Sequence, residues 1–157
     1  MQTFLPLPSF RRSAKCLDNK RLGKQRVECK QILLCLGVAI GEHEPGPTRW
    51  RNHPAVLMWV GHEVALLVYA IVVCREWKSR GFKDKLTDEF ALAYNRLRPT
   101  ILKNRYPPWF GGDEFHASHR SNLLRKNFEH YSRYGWREPT TLPYIWPETS
   151  ETEITYS

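Results

Sequence analysis

The sequence predicts an all-α protein, a single compact domain built round a long basic N-terminal helix and a buried central helix. Three observations carry that expectation. Apolar residues recur at spacings of three, four and seven through two long segments, the separations that bring side chains onto one helix face. Proline and glycine cluster between the periodic segments, at Pro45-Gly46-Pro47, Pro107-Pro108 and Gly111-Gly112. No convincing strand and no internal repeat interrupts them. At 157 residues, 41% hydrophobic and 13% aromatic, the chain has the material for one real core.

The elements follow in order. Residues 2–10 carry Pro6 and Pro8 and should be extended, because proline disfavours helix both at its own position and at the one before it. The first helix is expected over residues 18–40, with Asp18 as N-cap and Leu22, Cys29, Ile32, Leu33, Leu36 and Ile40 as its apolar face. Gly41 and the Pro-Gly-Pro run stop it. A second helix should begin at Pro54, a residue suited to a first turn, with Asn52 or His53 as cap. It runs through Leu57, Val60, Val64, Leu67, Val68, Ile71 and Cys74 to Lys78 or Arg80, and Gly81 ends it. Residues 64–74 are almost wholly apolar, which places this helix at the centre. A shorter helix opens at Thr87 and closes at Leu97 before Pro99, and a fourth covers residues 114–126. An aromatic and basic tail follows. The domain is expected to span residues 1–146, leaving 147–157 as a loose, polar and acidic end.

Charge narrows the function. Residues 10–30 hold eight Lys or Arg against Asp18 and Glu28, which supplies about +6 of the formal +8. Such a surface suits a polyanion, nucleic acid ahead of an anionic membrane. Cys16, Cys29, Cys35 and Cys74 form no C-x-x-C pair and have no histidine at zinc-finger spacing, so the expectation is a reducing, cytoplasmic setting without a structural metal. No charged segment precedes an apolar stretch at the N-terminus, so no signal peptide is expected. The longest apolar run is about half of a membrane span.

Three clusters carry candidate chemistry. Arg21, Lys24, Glu28 and Gln31 share one helix face. On the structural reading, Lys24 and Glu28 form an i,i+4 pair worth about 0.2–0.5 kcal/mol. On the functional reading, a positive field lowers the pKa of Glu28 and keeps it ionised beside a bound phosphate backbone. A carboxylate there repels DNA, so it calls for a chemical reason, and a developing cation on a sugar is one. The second cluster, Arg49, Trp50, Arg51, Asn52 and His53, suits phosphate contact with base stacking. It equally suits a Trp packed on the core and a helix cap. In the third, His116 and His119 at i,i+3 could ligate a metal, but no third ligand stands at a recognisable spacing. Arg120, Arg125 and Lys126, with Ser121 and Asn122, read as a phosphate-gripping helix. Trp136, Tyr144 and Trp146 are expected on the core, with stacking of one of them on a base as the alternative. There is no Gly-rich phosphate loop, no G-x-S-x-G and no H-E-x-x-H. Chemistry must therefore come from an amine, a carboxylate and histidines.

Four segments resemble the pyrimidine-dimer DNA glycosylases with abasic-site lyase activity, in particular a branch of short proteins beginning MQTFLP. They are L-D-N-K-R-L-G-K-Q-R-V-E with Glu28 at its end; G-H-E-V and K-S-R-G-F, which bracket the central helix; residues 116–126; and the aromatic tail. The resemblance implies a helical protein that kinks duplex DNA, extrudes a base and attacks the sugar with its N-terminal amine, with no cofactor. An α-amine has an ordinary pKa of about 7.7–8 against about 10.4 for lysine, so more of it is neutral and nucleophilic. The resemblance makes Glu28 the catalytic carboxylate. The best-known members expose a threonine after the initiator methionine is removed, whereas Gln2 is bulky and hinders that removal. The nucleophile is then Met1, or the product of unusual processing, or a lysine such as Lys20 or Lys24.

The expected DNA contacts are Gln2, Arg21, Lys24, Arg26, Arg49, Arg51, Asn52 and His53, together with His116, His119, Arg120, Arg125 and Lys126. The expected partner is double-stranded DNA with a lesion or modified base, bound by a monomer. A non-catalytic DNA- or RNA-binding module is the alternative, and a metal-dependent nuclease using His116 and His119 is a third reading.

Overall fold

A computed structural model describes residues 1–46, 49–100 and 106–147. All of the tail assigned to residues 147–157 except Pro147 lies outside that set. Seven α-helices and no strand occur among the described residues, as the all-α expectation has it.

The extended N-terminal strip runs to Ser9, where a helix the spacing argument did not anticipate begins: α1, Phe10–Cys16. Ser9 caps it, its Oγ accepting the Arg12 N–H at 3.1 Å. At the other end of α1, Arg80 donates to the carbonyls of Leu17 at 2.7 Å and Lys15 at 3.1 Å, meeting acceptors the helix leaves free.

The basic helix α2 covers Asn19–Cys35 and stops earlier than its apolar face suggested. Gly37 adopts φ +90°, and the Val38 N–H reaches back to the Leu33 carbonyl at 2.9 Å, a glycine-closed helix end. Asp18 occupies the cap position, but its carboxylate bonds Arg21 and the Tyr131 hydroxyl instead of the helix backbone.

The second predicted helix is two. Its first turn, α3, is Pro54–Leu57, capped by His53 Nδ1 accepting the Ala55 N–H at 3.0 Å. Gly61 at φ +80° then reverses the chain, and α4 runs Glu63–Ser79. Gly81 at φ +94° ends α4 as expected. Next come α5, Leu86–Leu97, with a 3₁₀ turn at Arg98–Thr100; α6, Asp113–Lys126; and α7, Phe128–Tyr131, with a 3₁₀ turn at Ser132–Tyr134.

Helix α4 is the hub, packed against α1, α2 and α5. It buries Val64, Leu66, Leu67, Tyr69, Ala70, Val73 and Cys74 against Leu22, Ile32 and Leu33 of α2 and Phe90 of α5. Each large side chain so buried contributes about 1.5–3 kcal/mol before the entropy of ordering it. Close approach of α2 and α4 depends on Gly23, where a Cβ would sit 2.8 Å from the Trp77 ring. That ring is held by a bond from its Nε1 to the Lys83 carbonyl at 3.0 Å and by stacking on Phe82. No helix among the described residues is long and apolar enough to cross a membrane.

Candidate active site

The first residues of the chain are not a loose arm. Residues 2–5 are buried, and side chains from several helices take up their backbone groups one after another. Gln25 Nε2 donates to the Gln2 carbonyl at 2.6 Å, and Gln25 Oε1 accepts the Phe4 N–H at 2.6 Å. The Tyr69 hydroxyl donates to the Phe4 carbonyl at 2.6 Å. Trp59 Nε1 donates to Thr3 Oγ1 at 3.1 Å. His119 Nδ1 accepts the Leu5 N–H at 2.9 Å, and His116 Nδ1 lies 2.7 Å from the Leu5 carbonyl, to which it donates. Arg120 reaches the Pro6 carbonyl at 2.9 Å, and Ser13 Oγ bonds both backbone groups of Leu7. A buried extended segment has no helical or sheet partner for its backbone, so each of these bonds meets a group that would otherwise be stranded.

This arrangement delivers the N-terminus to Glu28. The Gln2 N–H donates to Glu28 Oε2 at 3.5 Å, and Gln25 Nε2 donates to the same oxygen at 3.2 Å. Lys24 Nζ stands 4.0 Å from Oε1 with its own side chain 72% exposed, so the predicted i,i+4 pair is present but loose. Around them lies an open cleft of about 290 Å³ lined by Met1, Gln2, Phe4, Lys20, Arg21, Lys24, Glu28, Lys126 and Tyr144. Glu28 is 9% exposed. Burial raises its pKa, and this outweighs the lowering by the N-terminal ammonium, the Gln2 N–H, Lys24 and Lys126. The expected depression by a positive field is therefore corrected: the cations are present, but loss of water dominates. A carboxyl moved up in this way is better matched to accepting and returning protons.

Of the residues expected at the site, the structure brings together Met1, Gln2, Arg21, Lys24, Glu28 and Lys126. It adds Lys20, considered before only as a nucleophile, and Tyr144, expected on the core or, in the alternative, stacked on a base. Lys126 is itself held below the ordinary lysine pKa, first by burial and then by Arg21, Arg125 and Lys24. Arg49, Arg51 and Asn52 are exposed beside the helix cap, with the Arg49 guanidinium 4.9 Å from the centre of the Trp50 ring. His53 serves as the cap, and its pKa is lowered by burial and then by the N-terminal ammonium.

Several expected DNA contacts have other duties. Arg26 pairs with Asp84, whose side chain is fully buried, and lies over the Trp77 ring, so it ties α2 to the segment after α4. His116 and His119 are buried, and each spends Nδ1 on Leu5, while His116 Nε2 accepts the Gly111 N–H at 2.9 Å. They position the N-terminal strip and present no ring nitrogen pair to a metal or a phosphate. Arg120 is shared between Glu138 and Pro6, and Arg125 between Asn122 and the Thr140 carbonyl. Helix α6 thus grips both the N-terminal strip and the segment around residues 138–142. Among the described residues no group of three His, Cys, Asp or Glu is placed to hold a metal ion.

Gln25 and Tyr69 are the residues sequence reasoning missed. The available signal was a glutamine three residues before Glu28, embedded between Leu22 and Cys29 on the buried face. A polar residue at a core position must be bonded to something, and here it is bonded to the N-terminus.

The histidine staple has a pH consequence. Burial, helped by His116, pushes the His119 pKa down to about 3. An unfolded histidine takes its proton near 6.5, so between those values only the unfolded chain is protonated at this position. Stability from His119 is complete above about pH 6.5 and falls as pH drops, by up to about 1.4 kcal/mol per pH unit. The melting temperature measured from pH 7 to pH 5 should decline. His119→Gln, whose amide oxygen can accept the Leu5 N–H, should show a shallower decline over the same range.

Comparison with known proteins bears on the same part of the chain. Residues 1–90 match the family described as pyrimidine dimer DNA glycosylase. No curated protein and no solved structure gives a significant match. The matched segment contains Met1, Gln2, Gln25, Glu28 and Tyr69, whereas His116, His119 and Lys126 lie beyond it.

Proposed function

Since the chain belongs to the pyrimidine dimer DNA glycosylase family, we propose that it excises a damaged or modified pyrimidine from duplex DNA and then cuts the strand as an abasic-site lyase. The observation that carries this reading is the fixed position of the N-terminus, with the Gln2 N–H bonded to Glu28 inside a cationic cleft. Lys20, Arg21, Lys24 and Lys126 line the route of a phosphate backbone and hold the nucleotide in register without reading its base. A lesion stacks poorly, so turning it or its partner out of the helix costs less than for a normal base.

In the first step the Met1 amine adds to C1′ while the C1′–N1 bond breaks and the base departs with the electron pair. The ionised Glu28 stabilises the cationic sugar and accepts the proton released by the amine. The C1′–O4′ bond then breaks as Glu28 returns that proton to O4′, which leaves a protonated imine between the chain and the sugar and an ionised Glu28. Glu28 then assists removal of a C2′ proton, the C3′–O bond breaks, and the strand is cut with phosphate as leaving group. No step calls for a metal.

The test is borohydride reduction during reaction with an abasic-site duplex in EDTA. A covalent protein–DNA adduct mapped by mass spectrometry to Met1 is the expected result. An adduct on Lys20 or Lys24 would move the nucleophile, and the absence of any adduct would remove the imine mechanism. A chain that binds the duplex without cutting it would be the non-catalytic module.

A further inference from the structure

Gln2 carries a polar group that neither the fold nor the chemistry above uses. The residue is 4% exposed and lines the cleft with Met1 and Glu28. Its Oε1 accepts the Thr3 N–H at 2.9 Å, which settles which end of the amide is oxygen. Nε2 is then a buried donor that has no hydrogen-bond acceptor among the described residues. Buried polar groups are almost always met, and an unmet one in a cleft marks a place for a ligand atom.

The kind of atom follows from its surroundings. Phosphate is served by the Lys20, Arg21, Lys24 and Lys126 side chains that share the cleft. A neutral amide donor, kept from water, suits an oxygen that is neutral at first and gains charge only as reaction proceeds. Gln2 immediately follows the residue whose amine must reach C1′, so its partner is an acceptor flanking that carbon. A pyrimidine offers one there, O2, on the carbon next to the N1 that bonds C1′. A cyclobutane dimer keeps it, because ring closure takes place across C5 and C6.

We propose that Gln2 Nε2 donates a hydrogen bond to O2 of the pyrimidine being excised and stabilises it as a leaving group. This rests on the excision reading above. As the amine's lone pair forms the new bond to C1′, the C1′–N1 pair passes to N1 and spreads onto O2, where the amide N–H meets it. Glu28 takes the proton lost by the amine, and the departed base takes its own from water. The Gln2 side-chain amide therefore acts in base removal and is not called on when a strand whose base is already gone is cut.

The test compares two duplexes identical except that one carries a pyrimidine dimer and the other an abasic site, under single-turnover conditions. Gln2→Met keeps the length of the side chain and the bulk that retains the initiator methionine, but has no donor. It should lose about 100-fold in base removal, the scale of losing one donor to a developing anion, and lose far less in cutting the abasic duplex. Equal loss on both duplexes, or no loss on the dimer, overturns the assignment. Should Gln2→Met fail to melt as a folded protein, Gln2→Leu decides by the same ratio. A native chain inactive on both duplexes would sink the excision reading and the assignment with it. A native chain active on both, with unselective variants, sinks the assignment alone.

Discussion

Glu28→Gln should leave DNA binding intact or tighter while reducing base removal and strand cleavage by about 10²–10⁴-fold, the range of a positioned acid–base group. The substitution is close to isosteric. The new Oε1 can still accept from the Gln2 and Gln25 N–H donors that hold the native oxygen, so the N-terminal strip keeps its place. Binding gains because a negative charge leaves a cleft that must accept phosphate. Chemistry is lost because an amide can neither take the amine's proton nor face a cationic sugar with a full negative charge. Anisotropy with an abasic duplex and single-turnover cleavage, measured on one preparation, separate the two effects. Parallel loss of both would argue that Glu28 only shapes the site.

The same variant should melt no lower than the native protein at pH 7. The pKa of Glu28 is raised by burial, so its ionised form is disfavoured in the folded state relative to the unfolded one. Amidation removes that cost. As pH falls through the carboxyl range the native residue is protonated and the cost disappears on its own, so the two melting curves should converge in acid. A site that trades stability for chemistry has this signature.

Displacing the amine should have an effect as large. A two-residue extension ahead of Met1 leaves every lysine untouched but carries the terminal nitrogen up to about 7 Å from its native position. Near-attack geometry requires the reacting atoms to be roughly 3–3.5 Å apart, so borohydride trapping and cleavage should fall to background. Binding should change little, because Lys20, Arg21, Lys24 and Lys126 remain. Trapping that survives the extension would assign the nucleophile to a lysine. Cleaving the extension with a protease that leaves Met1 first should restore activity.

How far the sequence reached can be argued from particular residues. The periodicity of Leu22, Cys29, Ile32 and Leu33 was sufficient to find α2, and the apolar run after Val64 found the hub helix. Spacing could not show that Gly37 and Gly61 would adopt positive φ, because glycine inside a periodic segment is silent until the neighbouring turn is known. That is why α2 ends early and the second helix is split. Helix α1 was hidden by its prolines upstream, although Ser9 was a legible cap. At the site, Glu28 was recognisable because a carboxylate inside a basic helix is anomalous. The expected DNA contacts could not be told from structural pairs, because charge marks a residue as polar but not its partner. Arg26 looks identical to Lys24 in sequence, yet one is spent on buried Asp84 and the other stands in the cleft. The bonds of the α6 histidines were illegible for a related reason: their partners, the backbone groups of Leu5, have no side-chain signature at all.

The distance along the chain between Leu5 and His119, 114 residues, has a consequence during synthesis. A ribosome makes the strip well before the imidazole that clamps it. Until α6 has emerged, the strip lacks the bonds from His116, His119 and Arg120 that hold Leu5 and Pro6. The fixed placement of the N-terminal strip is thus a late event in folding, one that waits for a helix made more than a hundred residues downstream.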